Sequence, residues 1–146
     1  MPANIVVRTD GTAEMMVADN EKPWHGLGQR LLNPATSKEA IEAAHLDWNV
    51  VKQPVYVNTP SGFNLVPNKF AITRQDTKEV FNVLSDRYSP VQNLEAFNFF
   101  DAVVGQGEAI YHTAGALDGG RKVWILAKLP GDLVVANQDI LERYIL

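Results

Sequence analysis

Trp48-Asn-Val-Val-Lys-Gln-Pro-Val-Tyr-Val57 is where the apolar spacing of the chain changes from the helical period of about 3.6 to the strand period of 2. Immediately upstream, Thr36-Ser-Lys-Glu39 has the spacing of a capping box, in which Thr36 and Glu39 each satisfy a free amide at a helix start. The helix it opens is predicted to run to about His45, with Ala40, Ile41 and Ala44 as its apolar stripe. Downstream, alternation predicts strands over Trp48–Val57, Lys69–Gln75 and Val80–Leu84. A Pro/Gly/Asn-rich loop, Asn58–Asn68, joins the first pair, and the polar turn Asp76-Thr-Lys-Glu79 joins the second. Connections this short favour an antiparallel meander.

The same reasoning extends to both ends. Asp10-Gly11 lies between Ile5-Val-Val-Arg-Thr9 and Ala13-Glu-Met-Met-Val17 and supplies the positive φ angles of a tight hairpin turn. Asn93 can cap a second helix over Leu94–Val104, with Phe97, Phe100 and Val104 on one face and Gly105-Gln-Gly107 as its stop. A last hairpin pairs Ala109–Ala114 with Lys122–Leu129 and turns near Asp118-Gly-Gly120. After the N-terminal hairpin the order is α-β-β-β-α-β-β. The expected class is therefore α+β: one domain over residues 1–146, its antiparallel sheet of meander plus hairpin carrying two helices on one face.

Composition narrows the chemistry. The 146 residues include 13 Lys and Arg, 17 Asp and Glu, three His and no Cys, so disulfides, thiolate zinc sites and cysteine nucleophiles are excluded. His25, His45 and His112 are too far apart for the close ligand pair of a metal element, and no metal or cofactor is expected. No Gly-x-Ser-x-Gly elbow, P-loop or complete dinucleotide fingerprint is present, no catalytic residue is assigned, and a non-enzymatic role is the preferred reading. No apolar run approaches the roughly 20 residues of a membrane helix, and the first eight residues lack the features of a signal peptide, so a soluble cytoplasmic protein is expected. The net charge of −4 is spread along the chain, residues 1–73 carrying six basic and seven acidic groups and residues 74–146 seven and ten.

The strand faces suggest a binding surface. In Lys122–Leu129 one face carries Val123, Ile125, Ala127 and Leu129 while the other carries Lys122, Trp124, Leu126 and Lys128. In Trp48–Val57, Trp48, Lys52 and Tyr56 lie opposite Val51, Val55 and Val57. Aromatics interleaved with cations suit single-stranded nucleic acid, because bases stack and phosphates need counter-charge. The alternative is that the aromatics pack beneath a helix with the lysine stems at its rim. Asp86-Arg-Tyr88 leaves a sheet edge and is a second polar cluster, which could equally be turn and packing residues. Pro23-Trp-His-Gly-Leu-Gly28 places Trp24 and His25 in a glycine-rich loop with Gly26 and Gly28, either as an anchor for the N-terminal hairpin or as a ligand contact.

Several segments together resemble a known family. Pro23-Trp-His-Gly-Leu-Gly28, Leu46-Asp-Trp48, Asp86-Arg-Tyr-Ser-Pro-Val-Gln-Asn93, Thr113-Ala-Gly-Ala-Leu117 and Gly119-Gly-Arg-Lys-Val-Trp-Ile-Leu-Ala-Lys-Leu-Pro130 resemble, in colinear order, the phage- and plasmid-related proteins of the domain-of-unknown-function 932 family. The resemblance implies a mobile-element setting inside a bacterial host but no reaction, and it implies that this chain corresponds to the N-terminal half of a longer protein. The apolar ending Ile140-Leu-Glu-Arg-Tyr-Ile-Leu146 fits that expectation. Separately, helix, three-stranded meander, helix is similar in order to the core of single-strand annealing recombinases, a likeness of topology only.

The leading expectation is a phage- or plasmid-encoded protein of DNA metabolism that binds and anneals single-stranded DNA as a homo-oligomer. Lys52, Arg87, Arg121, Lys122 and Lys128 would meet phosphates, and Tyr88 and Trp124 would stack on bases. The competing expectation is a phage interaction module that binds a host protein. It calls for an exposed apolar patch in place of a basic groove.

Overall fold

A computed structural model describes residues 4–18, 26–104, 110–129, 131, 133–135 and 139–146. Elements run in chain order as β1 (Met15–Val17), β2 (Gln29–Arg30), α1 (Ser37–Ala43), β3 (Val50–Thr59), β4 (Gly62–Arg74), β5 (Val80–Ser85), α2 (Asn93–Val104), β6 (Tyr111–Leu117), β7 (Lys122–Lys128), β8 (Leu133–Val135), β9 (Asp139–Leu141) and β10 (Tyr144–Ile145). The class is α+β, with helices beside mostly antiparallel sheets. The chain forms two compact units: residues 1–47 with 94–146, and Trp48–Asn93.

The first unit is built on a five-stranded sheet ordered β10-β7-β6-β1-β2. At its entry the chain turns at Gly11, with φ 84°, and the Asp10 carboxylate accepts from the Thr12 amide at 2.9 Å and hydroxyl at 2.6 Å, but Asp10 does not share the positive φ. Ile5–Thr9 makes only isolated bridges, Ile5 with Leu117 and Val7 with Ala13, where a paired strand was expected, because Met15–Val17 pairs with β2 and β6 instead. The Thr12 hydroxyl bond, then the amide bond, holds the Asp10 carboxyl below the usual range. β1 lies between β6 and β2, and Met15, Met16 and Val17 are all buried, so side chains on both of its faces are covered. β6 and β7 pair from Leu117 with Lys122 inward, across the turn Asp118–Gly120.

α1 lies against β1 and β6. Its capping box is formed: the Glu39 amide donates to the Thr36 hydroxyl at 3.3 Å, and the Thr36 amide donates to the Glu39 carboxylate at 2.9 Å. Ala40, Ile41 and Ala44 are buried as the stripe requires. The helix ends at Ala43, two residues short of the expected limit, because His45 adopts φ 53° and turns the chain out of the helix. On α2, Phe97 is fully buried with its ring 5.1 Å from that of Tyr111, while Phe100 is half-buried. The expected stop at 105–107 lies outside the described residues.

The meander forms a sheet of its own, β3-β4-β5, so meander and final hairpin belong to two sheets where one was expected. The expected loop Asn58–Asn68 is corrected most. Pairing continues to Thr59 opposite Gly62, leaving only Pro60 and Ser61 as the turn. Proline, glycine and asparagine are present because the ribbon needs a tight tip and an irregularity, not because it unpairs. Gly62 has φ 123° and Asn68 φ 56°.

Candidate functional site

From Gln53 to Asn68 the sequence carries no charged residue, and Lys52 and Lys69 bound the segment. The register explains its exposure. Pro54 pairs with Phe70, but Tyr56 pairs with Leu65, so β4 contains extra residues around Pro67 and Asn68. β5 pairs with Lys69–Thr73 only. Beyond the bulge, β3 and β4 therefore continue as a two-stranded ribbon.

Directly opposed residues of an antiparallel pair share a face. One face of the ribbon carries Tyr56, Asn58, Phe63 and Leu65, and the other carries Val57, Thr59, Gly62 and Asn64. The first face is apolar and open: Tyr56 is 55% exposed, Phe63 74% and Leu65 58%. Sequence reasoning missed Phe63 and Leu65 because they fell within the expected loop. The available signal was their alternation inside a charge-free run.

The base of the ribbon is firmly held. Val50, at the start of β3, pairs with Arg74 at the end of β4. The Gln92 side-chain amide donates to the Val50 carbonyl and its oxygen accepts from the Val50 amide, both at 2.8 Å, so a side chain substitutes for a neighbouring strand. Arg74 is buried, with its guanidinium 4.2 Å from the Trp48 ring centre and a two-pronged bond to Asp76 at 2.7 and 2.9 Å. That bond holds the Asp76 carboxyl below its ordinary range, against the opposing effect of burial.

Of the expected phosphate and base contacts, Lys52, Arg87 and Tyr88 come together in the second unit. The Lys52 ammonium donates to the carbonyls of Asp86 at 2.7 Å and Tyr88 at 2.9 Å, and lies 4.9 Å from the Phe70 ring centre. It secures the turn after β5. Arg87 is exposed and makes no ion pair among the described residues, and Tyr88 is 43% exposed.

In the first unit, Lys122, Trp124 and Lys128 share the outer face of β7 as expected, with Ile125 and Ala127 buried on the other, and Arg121 is exposed at the preceding turn. The lysines are engaged with carboxylates: Lys122 lies 3.2 Å from Asp118, and Lys128 donates to Glu142 at 2.6 Å. The Asn4 amide and then Lys122 hold the Asp118 carboxyl low, and Lys128 and then the Tyr144 hydroxyl do the same for Glu142. Trp124 lies over Gly115, where an added Cβ would stand 2.2 Å from the indole and 2.8 Å from the Glu14 carbonyl oxygen. The ring thus covers the sheet through a gap that glycine leaves. Trp124 also points its indole N–H at the Thr113 hydroxyl, at 3.4 Å.

Trp24 and His25 lie outside the described residues. Gly28 has a backbone reason for its identity: φ is 97°, and a Cβ would meet the Met15 carbonyl oxygen at 2.7 Å, beside the parallel pairing of β1 with β2. Gly26 is exposed with φ 71°. Among the described residues no three His, Cys, Asp or Glu side chains form a group able to hold a metal ion. No helix among them is long and apolar enough to cross a membrane.

No curated protein and no solved structure matches the chain. Three of the five segments that carry the family resemblance, Asp86–Asn93, Thr113–Leu117 and Gly119–Pro130, fall within the stretch that a family comparison identifies, and the two upstream segments fall outside it. Over residues 80–146, its C-terminal part, the chain matches the family described as Domain of unknown function (DUF932), and the resemblance to that family is shown there.

Proposed function

We propose that this chain is a protein-interaction module that binds through the apolar face of the β3–β4 ribbon. The observation that carries the reading is the exposure of Tyr56, Phe63 and Leu65 on one face of a segment without charge. Each such side chain contributes roughly 1.5–3 kcal/mol when fully buried, so leaving three open on one face favours a partner that covers them. Aromatic residues ringed by neutral polar ones are also what the dry centre of a protein interface contains. A phosphate backbone would find no cation anywhere on this ribbon.

A photo-reactive phenylalanine analogue placed at Phe63 tests the reading in cells. Protein adducts at this site, and far fewer from the same group placed at Asn64 on the opposite face, are the expected outcome. Absence of protein adducts at Phe63 would overturn it.

Single-stranded DNA binding is the second reading, and Arg87 with Tyr88 favours it, because an exposed guanidinium residue is followed in sequence by an open aromatic one. On this reading a labelled oligonucleotide gains polarisation at low salt, and replacing Arg87 and Tyr88 with Ala removes most of that gain. No gain, or a gain indifferent to both replacements, refutes it.

A further inference from the structure

We infer that the partner joins the ribbon as an added strand: an extended segment of another protein, apolar at alternate positions, paired with the outer edge of β4 at Phe63 and Leu65. The inference rests on the protein-binding reading above and names the form its partner takes. Backbone direction carries it. Along an antiparallel pair, residues whose amide and carbonyl face the opposite strand alternate with residues whose groups face away. The Gln75 amide donates to the Asn49 carbonyl, so Asn49 faces β4, while Val50 faces away and is met by the Gln92 side chain. Continued along β3, the alternation turns Tyr56 and Asn58 outward as well. The tip gives the same result: Thr59 and Gly62 close a two-residue turn as a bonded pair, so Asn58–Phe63 and Tyr56–Leu65 are pairs that exchange no bonds.

On β4 the groups facing away from β3 therefore belong to Phe63 and Leu65 on the ribbon, and to Phe70 and Ile72 on the far side of the bulge. Phe70 and Ile72 meet Leu84 and Asn82 of β5. Phe63 and Leu65 meet no strand, and among the described residues no backbone bond outside the β3 pairing reaches them. An edge in this state takes up an extended chain, which supplies the missing hydrogen bonds and sets its alternate side chains beside those already there. The two residues that offer their backbone here also carry two of the exposed apolar side chains, so one added strand satisfies both.

The edges nearest the base are closed against such addition. Val83 of β5 has its amide taken by the Asn82 side-chain oxygen at 2.8 Å, Gln92 occupies Val50 at the start of β3, and Pro54 has no amide to offer. Residues 62–66 contain neither a proline nor a charge. The other ribbon edge, at Tyr56 and Asn58, sets one apolar side chain beside a polar one, where β4 offers two apolar ones. The slot is also short. It spans residues 62–66, from the tip to the bulge ahead of the Lys69–Ser85 pair, which is about 16 Å at a strand's rise per residue. That length fits a short linear segment laid end to end with β5.

Random linear peptides selected on the immobilised full chain test the inference. The expected result is enrichment of sequences with apolar residues at alternate positions and no proline between them. In one such peptide, N-methylation of every second backbone amide, one at a time, weakens binding about tenfold, while N-methylation of the intervening amides leaves it within about twofold. On the protein, Leu65→Pro, which withdraws an amide that β3 does not use, weakens binding more than Leu65→Ala, which keeps it. No enriched peptide, binding indifferent to the position of the N-methyl group, or a Leu65→Pro loss no greater than that of Leu65→Ala overturns the inference. So does reversible dimerisation of the chain that Leu65→Pro abolishes, because the edge then serves a second copy. If strand addition falls while the photo-reactive group at Phe63 captures protein, the face is bound in another way and the protein-binding reading stands. If no protein adduct forms either, both fall.

Discussion

Replacing Phe97 with Ala is expected to lower the stability of the first unit by about 3–5 kcal/mol, the range for deleting a fully buried phenyl ring. Phe97 is 0% exposed on α2 and packs its ring against Tyr111, which is equally buried. The Tyr111 hydroxyl donates to the Asp101 carboxylate at 2.7 Å and lies 3.0 Å from the Phe97 carbonyl oxygen, so the ring contact and the polar contact join the same helix to β6. The cost has two parts: the stabilisation gained by keeping the ring out of water is lost, and a cavity is left beside a residue whose hydroxyl fixes its position. Burial, then the Asp101 bond, raises the Tyr111 pKa, so its protonated form is favoured in the folded chain. A raised value contributes stability that is full below the unfolded tyrosine range, about 10, and declines as pH rises beyond it. Tyr111→Phe should cost less, about 1–2 kcal/mol, because packing is kept and one charge-assisted bond is lost. Urea unfolding followed by near-ultraviolet circular dichroism measures both. A Phe97→Ala loss below about 1 kcal/mol would contradict the packing described, since even partial collapse of such a site leaves more.

Local chemistry made some of this molecule legible in its sequence. The turn at Gly11 and the Thr36–Glu39 box each depend on residues at most three positions apart; the box formed as expected, and the turn formed with Gly11 alone at positive φ and without the strand expected before it. The outer face of β7 was also readable, because alternation alone decides it. What was not readable depends on partners far along the chain. Nothing near Trp124 indicates that Gly115 makes room for its indole. Nothing near Lys52 indicates that its ammonium is held by carbonyls 34 and 36 positions away. The ribbon failed for a different reason. Pro60, Gly62, Pro67 and Asn68 are individually loop formers, and their density concealed that Pro60 sits in a two-residue tip, Gly62 in the pair that closes it, and Pro67 and Asn68 at a bulge. Once the ribbon is paired, Phe63 and Leu65 become neighbours of Tyr56, and the candidate surface follows from register alone.

Asp76→Ala should destabilise the second unit by about 2–3 kcal/mol and remove part of its acid sensitivity. The Arg74 side chain is 1% exposed, and Asp76 meets it with two charge-assisted bonds. Removing the carboxylate withdraws that compensation from a buried guanidinium, the costly way to break such a pair. Asp76 itself is 40% exposed, so solvent screening keeps the loss below the upper range for fully buried pairs. Asp76→Asn, which keeps one acceptor and the shape, should fall between. The pH sign follows from the direction of the shift. The Arg74 bond lowers the Asp76 pKa in the folded chain, so its contribution is full above the unfolded aspartate value of 3.8 and is lost as pH falls through the lower folded value. The stability gap between wild type and Asp76→Ala is therefore wide at neutral pH and closes in acid, a comparison that urea midpoints taken at about pH 7 and pH 2.5 make directly. Equal midpoints at neutral pH, or a gap unchanged in acid, would show that the pair does not support the fold. Since Arg74 faces Val50 where β3 begins, the same loosening acts at the root of the ribbon. Hydrogen exchange in Asp76→Ala should consequently accelerate first at Val50–Lys52 and Ile72–Arg74, while Phe97 and Tyr111 keep their protection, which distinguishes a weakened ribbon base from a general loss of stability.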